Sequence, residues 1–192
     1  MPGGIAQRLA HEYARIFDVI NRGFSGYNTD CAIPVFEQSL VLRNEQTLAS
    51  KMRLLTIWYG ANDSVLPGFL QHVPLARFDE NLTHLINMVR NPASAWYSPE
   101  TKIILITPPP INTNQRRAEL AAKNPPQKLD RAFDVTAEYA ETVRRVGARE
   151  QISVVDAWQV VWDAAGQKEE ALSKYLTDGL HVTAEGYTAG DL

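Results

Sequence analysis

At 192 residues, with 45% apolar and 21% charged side chains, the chain has the balance of one globular domain able to bury roughly 70% of its unfolded surface. The net charge of −3 comes without a block of like charges, which argues against nucleic acid or an anionic membrane as partner. The single cysteine, Cys31, rules out an intrachain disulfide and fits a reducing, cytoplasmic setting, and no apolar run approaches the ~20 residues that cross a bilayer.

The opening stretch, MPGGIAQRLAHEYARIF, carries charges throughout and is no secretory leader. Ile5, Leu9, Tyr13 and Ile16 fall at helical spacing, so residues 4–16 are predicted to form a helix with one apolar face. Asp18 to Asn21 is predicted to be a short strand, running into the turn Arg22-Gly23-Phe24-Ser25-Gly26. Asn28 or Thr29 can cap a helix to about Leu42, with Pro34 in its first two turns, where proline is tolerated best. Leu54 to Tyr59 is nearly all apolar, as in a strand covered on both faces; it leads into Gly60-Ala61-Asn62-Asp63 and a Pro- and Gly-containing loop to Pro74. Phe78, Leu82, Leu85, Ile86 and Val89 mark a helix. Ile103 to Thr107 is a strand stopped by Pro108-Pro109-Pro110. Residues 111–128 are polar and read as a loop with room for one short helix. Residues 129–147 are predicted to be a long helix with Gly147 as C-cap, and Ile152 to Val155 the last strand. Helical fragments and the loop Thr177-Asp178-Gly179-Leu180-His181 follow, and a further helix begins near Thr183. Alternating helices and strands specify a parallel α/β sheet.

Ligands of open α/β sheets bind beyond the carboxyl ends of the strands, and three polar clusters lie there. In Asp178-Gly-Leu-His181 the imidazole can act as a general base, with the carboxylate fixing its tautomer; the same tetrapeptide also suits a surface loop without chemistry. In Gly60-Ala-Asn62-Asp63 a side-chain amide can donate to an oxyanion, while Asp63 can simply cap the turn. In Gly23-Phe-Ser-Gly26 a glycine N–H can donate to the same charge, or the segment can be only a tight connection. His72 sits in a loop that can rim the pocket or merely hold itself; His11 and His84 lie on helices. Val65, Leu66, Phe69 and Leu70 can line an acyl or alcohol pocket, or cover the sheet edge. No cluster has metal-ligand spacing.

Together, Asn21-Arg-Gly-Phe-Ser-Gly26, Gly60-Ala-Asn62-Asp63 and Asp178-Gly-Leu-His181 resemble the second, third and fifth blocks of the SGNH (GDSL) hydrolase family, in order over almost the entire chain. The phrases RGFSGYNT, WYGANDS, VPLARFDENL and LTDGLHVTAEGY are similar to its isoamyl acetate-hydrolysing esterase branch. The resemblance implies one three-layer α/β/α, flavodoxin-like domain over residues 1–192. It also implies a carboxylic ester hydrolase for small acetate-type esters that uses no cofactor and no metal. His181 would be the base, Asp178 its orienter, and the Gly26 N–H and Asn62 amide the oxyanion donors.

The family's first block, a strand ending in Gly-Asp-Ser with the nucleophilic serine, is not in this sequence. The chain is therefore expected to start after that strand, and to stop as a terminal helix begins. This is either an incomplete record of an active esterase or a non-catalytic binding or regulatory protein that keeps the oxyanion pocket. Ser25 and Ser64 lie near the expected site on turns that already serve other roles. The family's first strand lies inside the sheet, so its absence is expected to close the sheet up or leave backbone groups unpaired.

Overall fold

The computed structural model describes residues 4–191. Three strands, β1 (Leu54–Trp58), β2 (Lys102–Ile106) and β3 (Ser153–Val155), form a parallel sheet in the order β1-β2-β3. Leu55 pairs with Ile103, Ile57 with Leu105, and Leu105 with Val154. Because side chains alternate across a sheet, these residues share one face. They form the main core there with α2 (Thr29–Ser39), α3 (Leu75–Arg90) and α5 (Phe133–Glu150), through Phe36, Phe78, Leu82, Leu85, Tyr139 and Val143. A smaller core gathers α6 (Ala157–Ala164) and the 3-10 turns Glu169–Lys174 and Gly186–Asp191 around Val161, Leu172 and Leu176. Tyr187 meets Trp58 edge-on, 6.3 Å between ring centroids, which brings the last turn onto the opposite face of β1. Helix α4 (Thr113–Ala121) fills the short-helix slot expected between 111 and 128. No helix among the described residues is long and apolar enough to cross a membrane.

Four expectations are corrected. The first helix, α1 (Ile5–Glu12), stops well short of residue 16. Arg15 takes a left-handed φ of 68°, which a helix cannot continue through, and α1 buries none of its residues. Asp18 to Asn21 is not a strand but irregular coil with Ile20 66% exposed. A strand is held by its neighbours, and no neighbour is there: β1 has a ladder partner on one side only. For the same reason β1 is not covered on both faces; Leu54 is 45% exposed and Thr56 is exposed.

The fourth correction concerns Gly147, which is not a cap. Helix α5 runs on to Glu150 and is ended by Gln151 at φ 54°. Gly147 is where α5 presses on β3, since a Cβ there would stand 2.2 Å from Val154 Cγ2. Other expectations hold: Asn28 caps α2, its Oδ1 accepting the Cys31 N–H at 3.0 Å, and Pro34 lies inside that helix.

Candidate active site

The Asp178–His181 loop is closed by an antiparallel bridge between Leu176 and Val182 and by the Thr177 N–H donating to His181 O at 2.8 Å. It is pinned onto the start of α4. Asn112 N–H donates to Gly179 O at 3.0 Å, and the Gln115 amide donates to Leu176 O and Thr177 O at 3.1 and 3.2 Å. Gly179 is required twice, by its φ of 80° and by the helix backbone beneath it: a Cβ would lie 2.5 Å from Arg116 N.

Asp178 Oδ1 accepts the N–H groups of His181 at 2.8 Å and Leu180 at 3.1 Å, and its Oδ2 lies 3.0 Å from His181 Nδ1. Partial burial pushes the Asp178 carboxyl up, but the hydrogen bonds from His181 and Leu180 outweigh it and hold the group below the usual carboxylate range. A carboxylate at Nδ1 favours the tautomer with its proton there, leaving Nε2 as a free acceptor on an exposed side chain.

The second cluster turns at Gly60, whose φ is 115° and whose Cβ would meet Pro108 Cγ at 2.9 Å. Asp63 is fully buried beneath it. Its carboxylate accepts the Gly60 N–H at 3.1 Å, the Thr29 N–H at 2.8 Å and the Thr29 hydroxyl at 2.5 Å. Asp63 thus caps its own turn and ties it to the start of α2, just beyond Gly26. Burial pushes its carboxyl up against the pull of those bonds.

The Asn62 amide Nδ2 donates to Tyr27 O at 2.8 Å, which sets the side chain beside the Gly26 turn. Gly26 has a φ of 80°, and the Gln71 amide donates to its carbonyl at 2.7 Å. Its N–H donates to no group among the described residues. One Nδ2 hydrogen and the Gly26 N–H can therefore serve an added acceptor.

The structure accordingly brings Gly26 to Asn62 and Asp178 to His181, and it joins the two pairs by residues that sequence reading passed over. Arg116 donates from Nη1 to Asp178 Oδ2 at 2.9 Å, and from Nε and Nη2 to Asp130 at 2.9 and 2.8 Å. Asp130 also pairs with Arg131 Nη1. Arg131 Nη2 in turn donates to Asn62 Oδ1 at 2.8 Å, and its Nε to Ala61 O at 2.9 Å. The only signal in the sequence was a charged pair ahead of a helix and an arginine on a polar stretch.

Other candidates fall away. His72 Nδ1 sits 2.6 Å from Val65 O, holding its own loop. Ser64 is fully buried, its hydroxyl donating to Ala61 O at 3.3 Å, and Ser25 lies on an exposed turn. In the 64–74 loop, Val65 is buried and Leu70 stands in solvent. Phe69 lines a cleft of about 380 Å³ with Leu120, Gln127, Lys128 and Asp130. No three His, Cys, Asp or Glu residues among those described are placed to hold a metal ion.

A parallel α/β sheet with polar loops collected beyond its strand ends, one of them bearing an Asp–His pair, defines an α/β protein with its candidate site at that edge. Residues 2–189 match the GDSL-like Lipase/Acylhydrolase family. The chain is 35% identical over 188 residues to a GDSL esterase/lipase of Arabidopsis thaliana, covering 96% of this chain and 73% of that one. It is 36% identical over 187 residues to the isoamyl acetate-hydrolyzing esterase 1 homolog of Bos taurus, covering 96% and 70%. Among solved structures, a lipase/acylhydrolase from Enterococcus faecalis superposes with a TM-score of 0.64 at 26% identity, over 95% of this chain and 75% of that one. An acetylxylan esterase from Geobacillus stearothermophilus shares the fold, with a TM-score of 0.64 at 18% identity over 96% and 74%. This chain belongs to the GDSL-like lipase/acylhydrolase family, an esterase family.

Proposed function

We propose that this chain carries the acyl-transfer machinery of a carboxylic ester hydrolase for small acetate-type esters, apart from its nucleophile. His181 Nε2 takes the proton of the attacking hydroxyl and returns it to the leaving alcohol. Asp178 holds the Nδ1–H tautomer and stabilises the imidazolium. The Gly26 N–H and the Asn62 amide stabilise the tetrahedral oxyanion. The observation that carries this reading is the 3.0 Å contact between His181 Nδ1 and Asp178 Oδ2, on a carboxylate anchored by two N–H groups. Acetate-type esters are favoured by the likeness to the isoamyl acetate-hydrolyzing esterase homologues, and a cytoplasmic setting by the single cysteine.

No Gly-Asp-Ser occurs in the 192 residues. In subtilisin, loss of the serine lowers kcat by about 10⁶, so this chain alone is expected to hydrolyse p-nitrophenyl acetate barely above background. A folded version extended at its N-terminus by the family's first block, a strand ending in Gly-Asp-Ser, is expected to gain turnover that His181→Ala removes. Turnover by the unextended chain within about tenfold of the cattle homologue, or no gain on extension, would overturn the assignment. The absent Gly-Asp-Ser also favours a second reading, a binding or regulatory protein that keeps the oxyanion pocket. It predicts saturable binding of acetate without turnover in either version.

A further inference from the structure

Asp178 serves two partners with one oxygen. Its Oδ2 lies 3.0 Å from His181 Nδ1 and 2.9 Å from Arg116 Nη1. The Arg116 side chain is 8% exposed and that of Asp178 20%, so solvent screens the pair little. Arg116 cannot swing away, because its Nε and Nη2 grip both oxygens of Asp130 in a forked pair. Asp130 is held in turn by Arg131, whose Nη2 fixes the Asn62 carbonyl oxygen and so decides which end of that amide faces Tyr27.

The charged groups about Asp178 are His181 on its own loop, Arg116 from α4, and Asp130 with Arg131 from the segment entering α5. Glu119 lies beyond Arg116 on α4, and Glu169 of the neighbouring 3-10 turn is engaged by the Thr113 N–H at 2.6 Å. Arg116 is thus the cation placed to compete with an imidazolium for Asp178. A guanidinium on the shared oxygen weakens the carboxylate's attraction for a protonated ring, and it also repels that ring directly.

Resting on the reading of Asp178 and His181 as the base pair, we infer that Arg116 is a positioning residue that fixes Asp178 and keeps His181 in its neutral, proton-accepting form, in a clamp whose far end, Arg131, orients the Asn62 amide.

The test is an NMR titration of the His181 ring in the full chain, with the signal assigned by its loss in His181→Gln. Asp178→Asn is expected to lower the His181 titration midpoint. Arg116→Gln is expected to raise it by about half a unit or more, and Arg116→Lys to return it towards the wild-type value. Were Arg116→Gln not to fold, Arg116→Met, which fills the arginine's apolar volume and leaves Asp130 paired with Arg131, removes the same charge and gives the same reading. No response to Asp178→Asn would overturn the base pair itself. A response there with none to Arg116→Gln, or a lysine variant no different from the glutamine one, would overturn this inference alone. A purely structural arginine would leave the midpoint unmoved. At the far end, Arg131→Gln is expected to mobilise the Asn62 side-chain amide in ¹⁵N relaxation, and an amide as rigid as in wild type would refute that half of the clamp.

Discussion

Replacing Gly179 with alanine puts a methyl group where the backbone of α4 already stands. The added Cβ would lie 2.5 Å from Arg116 N, 2.7 Å from Asn112 O and 2.9 Å from Arg116 Cα, against an ordinary contact of ~3.5–4.0 Å. All three atoms are main chain, so no side chain can rotate aside, and loop and helix must part by about 1 Å. Overpacking of this kind costs about 1–3 kcal/mol, and the left-handed backbone adds about 1 kcal/mol once a Cβ is present. Parting the two also strains the 3.0 Å bond from Asn112 N–H to Gly179 O, worth about 1 kcal/mol net. The sum is about 3–5 kcal/mol of a total stability of about 5–15 kcal/mol. With a urea slope of about 2 kcal/mol/M, the unfolding midpoint is expected to fall by about 1.5–2.5 M. Gly166→Ala is the control, because Gly166 has a φ of 63° and nothing within 4 Å of the added atom; it carries the backbone cost alone, about 1 kcal/mol. Equal shifts in the two variants would show that the contact with α4 contributes nothing, and the reasoning would fail.

Two further perturbations test the frame around the site. Gly147→Ala gains about 1 kcal/mol of helix propensity but sets a Cβ 2.2 Å from Val154 Cγ2 and 3.1 Å from Ile152 O. A net destabilisation of about 1–2 kcal/mol is expected, relieved in the double variant with Val154→Ala, and a single variant more stable than wild type would refute it. The melting temperature is expected to drop as pH falls below about 4. Asp130, Asp156 and Asp178 are held below the usual carboxylate range despite partial burial, by bonds from Arg116, Arg144 and His181 respectively, so their contribution is full above the unfolded-state value and vanishes as they protonate. Asp63, pushed up by burial, acts with the opposite sign and adds stability on acidification just above about pH 4. Asp63→Asn should therefore remove that gain, and a melting curve whose pH slope there is unchanged by the substitution would contradict the assignment.

What the sequence disclosed and what it withheld divide along physical lines. The strands at Leu54, Ile103 and Ile152 were legible to within a residue or so, because short apolar runs bounded by Gly and Pro leave few alternatives. The start of α2 was legible because Asn28 and Thr29 are both capping types, and the structure chooses Asn28. Asp18 to Asn21 has the composition of a strand but not the position of one; pairing comes from a neighbouring strand, and composition cannot report whether that neighbour exists. Gly147 was misassigned because a glycine near a helix end is usually a cap, and only the third dimension brings Val154 against it. At the site, Asp178 with His181 and Gly60 through Asp63 were legible because each works within one turn. Arg116, Asp130 and Arg131 were not, because each acts across separations that no local spacing encodes.

Those three residues also present an energetic oddity that bears on how the site works. Charges as secluded as Arg116, at 8% side-chain exposure, and Arg131, at 4%, lose several kcal/mol of hydration each, and even an ideal ion pair does little better than break even against apolar packing of the same volume. Their worth is therefore poorly explained by stability. Geometry explains it better. The Asp178 loop and the Asn62 turn sit on separate connections of the fold, with no strand or helix in common, and loops are the segments that drift most. A forked arginine–carboxylate pair fixes direction as well as distance; Arg116 makes one with Asp130, and Arg131, bonded to the same carboxylate, carries that constraint on to the other loop. Apolar residues could fill the same space but could not set the angle of a carboxylate or choose the face of an amide, and in the proposed roles those two angles decide whether His181 and Asn62 can address the same ester.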